Sequence, residues 1–372
     1  MIALGAPRLF DGNALSRNRV VVIDGERIAG IDTGTAGIVP EPMPPDAILA
    51  PGFIDLQVNG GGGLLLNNGI GAEAMRAIAA AHARVGTTTI LPTLISGSRA
   101  DIAAALSAAA QPMPGVAGLH IEGPFIAPAR HGIHPLAAIR PLEDADLALL
   151  SVPQKFPLMV TVAPDAVPVD RVTALARAGA VVFAGHTDAT YEQARAGLGA
   201  GIAGFTHLYN AMSPLASRAP GAVGAALAEG DTYAGIIVDG HHAHPAAVRV
   251  AFAAKGPDRL FLVSDAMATA ASDANQFVLY GKTIRLRDGR LTDDAGTLAG
   301  AHLTMAEAVR NAVHLAGIPL AAALRMATAT PAACMGMHDR GRLAAGCRAD
   351  LVALDADLCV VAVWQGGVRL EN

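Results

Sequence analysis

The 372-residue chain lacks several things, and each absence removes a class of function. There is no long basic run, and the formal net charge is −5, which argues against nucleic acid as the main partner. Only three cysteines occur, Cys334, Cys347 and Cys359, with no CxxC pair and no disulfide-like spacing, so a reduced compartment is expected. No apolar run reaches about 18 residues without a Gly, Pro or polar break, so no membrane-spanning helix is expected. The N-terminal MIALGAPRLFDG has neither the basic flank nor the apolar stretch of a secretory leader, and a cytoplasmic location is expected. Neither a solenoid repeat nor a low-complexity tract is visible. Charged residues make up only 16%, against 52% hydrophobic, so the chain can bury a large core and an ordered fold is expected.

What is present falls into two styles. Residues 1–50 carry short alternating segments, Arg19-Val-Val-Val-Ile23 and Arg27-Ile-Ala-Gly-Ile31, between Asp-Gly turn signals. The tail repeats this with Asp350-Leu-Val-Ala-Leu354 and Leu358-Cys-Val-Val-Ala-Val-Trp364. A lone hairpin is marginal in water, so the two ends are expected to pair into one small β-sandwich domain, residues 1–49 with 339–372. Between them, over 50–338, near-continuous apolar runs alternate with Ala-rich stretches of helical period. The runs are 52–57, 88–93, 116–122, 158–164, 180–186, 204–207, 233–239 and 260–265. Eight such runs with helical spacers give an α/β fold, a (β/α)8 TIM-like barrel. Residues 276–298, around Asp288-Gly289, look like a β-hairpin inserted after the eighth strand.

Most of the runs end in chemically capable residues: Gln57, Glu122, His186, His207, Asp239 and Asp265. Catalytic groups of TIM barrels sit at strand C-termini. A lone strand-end His is more often a hydrogen-bonded structural residue than a ligand. Three potential ligands at one barrel end are different: Glu122, His186 and His207 form a His₂Glu set with a fourth position open for water. Asp265, in Leu-Val-Ser-Asp-Ala, could move protons beside such a water, or simply cap the next helix.

These residues lie in motifs that resemble the N-acetylglucosamine-6-phosphate deacetylases of the amidohydrolase superfamily. The resemblance rests on Pro51-Gly-Phe-Ile-Asp-Leu-Gln-Val-Asn-Gly60, Gly118-Leu-His-Ile-Glu-Gly-Pro124, Ala184-Gly-His-Thr187, Thr206-His-Leu-Tyr-Asn-Ala-Met212 and Ser264-Asp-Ala266. It continues through Leu298-Ala-Gly-Ala-His-Leu-Thr-Met305 and Gly341-Arg-Leu-Ala-Ala-Gly-Cys-Arg-Ala-Asp-Leu351, in family order from about residue 50 to 355. It implies hydrolysis of the acetamide of N-acetylglucosamine 6-phosphate to glucosamine 6-phosphate and acetate, in amino-sugar catabolism. Glu122, His186 and His207 would hold one divalent metal per chain, zinc first, with iron, cobalt or manganese also able to bind. Asp265 would be the acid/base, and His134 would hydrogen-bond the acetyl carbonyl. Ile133, Asn210, Ala211, Asp239, Leu298, Ala299 and Gly300 would contact substrate. Arg218 and His242 would take the 6-phosphate, near the interface of a homodimer.

Departures from the wider superfamily matter as well. The first strand ends in Gln57-Val-Asn59 rather than His-x-His, and the fourth in Ala163-Pro164 without a lysine, which favours a single metal over a pair. Pro-Leu-Ala follows His134 where Asn-Pro is the family pattern, and Ser217-Arg218-Ala-Pro replaces Gly-Arg-Glu-Pro. His120, two residues before Glu122 on the same strand face, is expected to support the ligands rather than join them. The remaining histidines are read as loop, surface or core residues. Two rival functions remain open at this level: deacetylation of N-acetylgalactosamine 6-phosphate or another N-acyl compound, and a non-catalytic barrel scaffold.

Overall fold

A computed structural model describes residues 1–33 and 37–371; residues 34–36, inside the expected N-terminal β segment, and residue 372 lie outside the described part. Eight strands form a parallel barrel sheet: Phe53–Val58, Thr87–Ile95, Leu119–Glu122, Leu158–Val162, Val181–Ala184, Ile202–Phe205, Tyr233–Ile236 and Leu260–Leu262. Neighbours pair in sequence order, and the ring closes where Val58 bridges Ala266 in parallel and the Asn59 amide donates to the Ala266 carbonyl (2.9 Å). These strands are buried on both faces, which explains why they are mostly apolar rather than alternating.

A helix follows each strand, from Ala72–Arg84 after the first to Met305–His314 after the eighth. Several begin on side-chain caps legible in the sequence. Ser98 with Asp101, Thr190 with Gln193 and Thr304 with Glu307 form reciprocal capping boxes that satisfy otherwise orphaned N–H groups. No helix among the described residues is long and apolar enough to cross a membrane.

The two chain ends share one sheet. Ile48–Pro51 runs antiparallel to Leu351–Leu354, and the hairpins built on Ile2–Phe10 and Val360–Gln365 extend the sheet on either side. Alternation along these strands divides their side chains between two cores. Leu49, Leu351, Ala353 and Trp364 join Leu4, Val21 and Ile28 in the sheet's own core, whereas Ile48, Ala50, Val352 and Leu354 pack with the barrel. The terminal sheet is therefore fixed to the barrel by every second residue of its central strands.

The insertion after the eighth strand is larger than the hairpin expected from 276–298. It is a four-stranded antiparallel meander, Gln276–Leu279, Lys282–Arg287, Arg290–Thr292 and Leu298–Ala301. Tyr280-Gly281 and Asp288-Gly289, all at positive φ, make its first two turns. The last strand bridges back to Ala266 beside the barrel mouth, so Leu298 and Gly300 reach the cavity as strand residues.

Candidate metal and substrate site

Glu122 is the last residue of the third strand, while His186, His207 and Asp265 lie two or three residues beyond the fifth, sixth and eighth. The last three have positive φ (47°, 32° and 51°), a conformation rare for residues with a β-carbon. Strain of this kind persists where surrounding structure over-determines it, and here it turns three strand ends inward toward one point.

At that point the donor atoms converge. His207 Nε2 lies 3.0 Å from Glu122 Oε1 and 3.0 Å from His186 Nε2, and His186 Nε2 is 3.3 Å from Glu122 Oε1. These three residues could hold a metal ion. Two imidazole nitrogens at 3.0 Å facing one carboxylate oxygen fit a shared cation, whose charge relieves the crowding of lone pairs. His186 Nδ1 lies 2.9 Å from the Arg130 carbonyl; a carbonyl only accepts, so Nδ1 carries the proton and Nε2 keeps its lone pair for a ligand. Burial opposes ionisation of Glu122, but the two imidazoles hold its carboxyl well below the usual range. A deprotonated carboxylate with imidazoles is the donor set that zinc and related divalent ions take.

Asp265 stands beside this trio at the edge of the cavity. Asn59 Nδ2 (2.6 Å) and Gln57 Nε2 (3.1 Å) both donate to its Oδ1, and the same Gln57 amide donates to Glu122 Oε1 (3.0 Å). Its enclosed position, followed by the charge of Glu122, pushes the Asp265 carboxyl up to about 6. A carboxyl poised there can accept and return a proton near neutral pH. Beneath it, the buried Asp55 carboxylate accepts from the Ser264 hydroxyl and from the Gln57 amide N–H (3.1 Å). Asp55 thereby ties the first strand to the residue preceding Asp265.

A cavity of about 330 Å³ opens over these groups, within the range of small-molecule sites. Of the residues expected to touch substrate, Ile133, His134, Asn210, Ala211, His242, Leu298 and Gly300 line it. Gly300 has φ +60°, and a β-carbon there would lie 2.6 Å from Met267 Cγ and 2.8 Å from the Asp265 carbonyl. Any side chain at Gly300 would therefore push on the backbone of Asp265. Three expected contacts do not line the cavity. Asp239 sits behind His242, accepting from its Nδ1 (2.6 Å) and from two backbone N–H groups; burial opposes this charge, but the His242 hydrogen bond holds Asp239 down at about 2. Ala299 is fully buried in the meander core. Arg218 is exposed on the loop 213–220 and is not among the residues that line the cavity of its own chain.

His120 bonds threonines, with Nε2 2.8 Å from Thr161 Oγ1 and Nδ1 3.3 Å from Thr93 Oγ1. It braces the third strand beside Glu122 rather than joining the trio. Several contributors receive no role from the sequence, Asn59 among them although it lies in the first-strand motif. Asn59 and Arg130 line the cavity, the second placing its carbonyl behind His186, and Ser96 lies 2.6 Å behind His134. A backbone carbonyl has no residue preference, and a single Ser after an apolar strand is ordinary.

The segment bearing His134 is anchored at its far end by a buried carboxylate. Asp146 accepts from Arg99 Nε (2.9 Å) and from both Arg140 Nη atoms, and its side chain is fully buried. Burial opposes its ionisation, yet the two guanidiniums hold it down at about 2. Because the folded value lies below the unfolded one of about 3.9, this contribution is complete above about pH 4 and is lost as pH falls toward 2. Asp146→Asn is expected to cost about 2–3 kcal/mol at pH 7, with a gap to wild type that narrows at pH 3. Paired chemical denaturation at the two pH values checks this; a gap that widens at pH 3 would contradict the assignment.

Comparison with known proteins follows the same lines. The sequence profile of the Amidohydrolase family matches residues 48–370. The N-acetylgalactosamine-6-phosphate deacetylase of Shewanella sp. (strain ANA-3) is 40% identical over 379 residues, covering 100% of this chain and 96% of that protein. The crystal structure of N-acetylglucosamine-6-phosphate deacetylase from Pasteurella multocida superposes with TM-score 0.95 at 33% identity, over all of both chains. A mutant of the Mycobacterium smegmatis enzyme, solved in complex with N-acetyl-D-glucosamine-6-phosphate, gives TM-score 0.90 at 32% identity, over 99% of this chain and 98% of that one.

Proposed function

The chain belongs to the amidohydrolase family, among its N-acetylglucosamine-6-phosphate deacetylases, and from that premise we propose that it hydrolyses the acetamide of N-acetylglucosamine 6-phosphate to glucosamine 6-phosphate and acetate. The observation that carries this reading is the convergence of Glu122, His186 and His207 beside Asp265 and His134 in one cavity.

Glu122, His186 and His207 would hold one divalent cation, zinc by the chemistry of the set. When bound, such an ion lowers the pKa of a water and polarises a carbonyl. Asp265 takes a proton from the attacking water as its oxygen adds to the acetyl carbon. His134 donates to the acetyl oxygen as negative charge builds there. Asp265 then delivers its proton to the amine nitrogen as the C–N bond breaks. Asn59 and Gln57 keep the Asp265 carboxylate aimed through this cycle. Gln57 also supports a single metal, because its amide N–H bridges the Glu122 and Asp265 carboxylates where no histidine pair is available for a second ion.

The 6-phosphate is assigned to His242, held by Asp239, and to Arg218 of a second copy of the chain, since Arg218 does not line its own cavity. A homodimer follows from that assignment. Charge-assisted hydrogen bonds contribute about 1.5–3 kcal/mol, so Arg218→Ala is expected to raise KM for the phosphorylated substrate roughly 10- to 100-fold. Turnover of unphosphorylated N-acetylglucosamine should be slow in wild type and unchanged in the variant. Equal turnover of both substrates by wild type would remove the phosphate from the assignment. A second reading, deacetylation of the 4-epimer N-acetylgalactosamine 6-phosphate, is favoured by the 40% identity to the Shewanella protein. The ratio of kcat/KM on the two epimers decides between them.

A further inference from the structure

His134 and His186 have rings 4.3 Å apart, yet their Nδ1 atoms meet opposite kinds of partner. Behind His186 is the Arg130 carbonyl, which can only accept. Behind His134 is the Ser96 hydroxyl, 2.6 Å from Nδ1. Ser96 is buried, and its hydroxyl has no other hydrogen-bond partner among the described residues. A buried hydroxyl with one available acceptor donates to it. We propose that Ser96 is a positioning residue that donates to His134 Nδ1, so that the neighbouring rings are set as opposite tautomers. His186 presents a bare Nε2 as a ligand, while His134 presents an Nε2–H as a donor.

Local backbone supports this role. Ser96 lies one residue past the second strand at φ 37°, a strained conformation for a residue with a side chain, and its amide donates to the Glu122 carbonyl (2.8 Å). Gly123, next to Glu122, has φ +72°, and a β-carbon there would sit 2.7 Å from Ser96 Oγ. The chain bends to aim this hydroxyl, and a glycine leaves it room. Without the donor, the Nδ1–H tautomer becomes available, and a ring in that state turns a lone pair toward the acetyl oxygen.

The inference rests on the reading of His134 as the donor to the acetyl oxygen, and the test separates the two. In zinc-loaded wild-type protein with 15N-labelled histidine, His134 should show a non-protonated Nδ1 and a protonated Nε2, and His186 the reverse protonation at Nδ1. Ser96→Ala should give mixed His134 tautomers and lower kcat about tenfold. That is less than the 10²–10³-fold typical of losing an oxyanion donor itself. KM and zinc content should stay within twofold, the pattern of an interaction made in the transition state. A protonated Nδ1 on wild-type His134 would overturn the proposal whatever the variant does. So would wild-type kcat in Ser96→Ala if His134→Ala is inactive. Full activity in His134→Ala would instead remove the donor reading, and with it the catalytic consequence of the tautomer.

Discussion

Asp265→Asn is expected to lower kcat on N-acetylglucosamine 6-phosphate about 10³-fold, within the range for loss of a general acid–base group. The bound metal should stay in place, because Asp265 is not one of the three converging donors. An amide at this position can still accept from Asn59 and Gln57 through its oxygen, so the surroundings keep their hydrogen bonds. What it cannot do is take a proton from water and give it to the leaving amine. With both proton transfers assigned to this one group, no neighbouring residue is expected to restore half the cycle. Steady-state kinetics and metal analysis on one preparation check the result. Full activity with metal retained would sink the role assigned to Asp265.

Removal of the metal should have an effect at least as large. Glu122, His186 and His207 are buried, and each offers its free donor atom to the same point. Chelation is therefore expected to reduce activity more than 10³-fold, and zinc, cobalt or manganese should restore it to different extents. The protein should also melt at lower temperature when stripped, since a ligand bound only by the folded chain stabilises by about 4 kcal/mol at a thousandfold excess over Kd. Stripped protein with unchanged activity and unchanged melting would mean that the trio holds no functional ion.

Much of this site is legible in the sequence because TIM-barrel chemistry gathers at strand ends, and strands buried on both faces announce themselves as apolar runs. All eight runs correspond to barrel strands, and Glu122, His186, His207 and Asp265 stand at or just beyond their ends. Less visible was whatever depends on long-range placement. Ser96 follows a strand that continues to Ile95, beyond the run ending at Thr93, and nothing local links it to His134, 38 residues away. Arg130 contributes a carbonyl, which any residue would supply. The four-stranded meander exceeds its expected hairpin because the pairing of Leu298–Ala301 with Arg290–Thr292 adds a strand beyond the 276–298 segment. Arg218 is expected at the phosphate from its motif, but that it does not line the cavity of its own chain is a property of the fold alone.

The most direct test of the account is acetate release from N-acetylglucosamine 6-phosphate by purified protein, with metal content determined on the same sample. Rapid release with about one divalent ion per chain is expected, the occupancy set by a three-residue donor set with one open position. No release from a sample carrying its full metal complement would contradict the account and move the search to other amides.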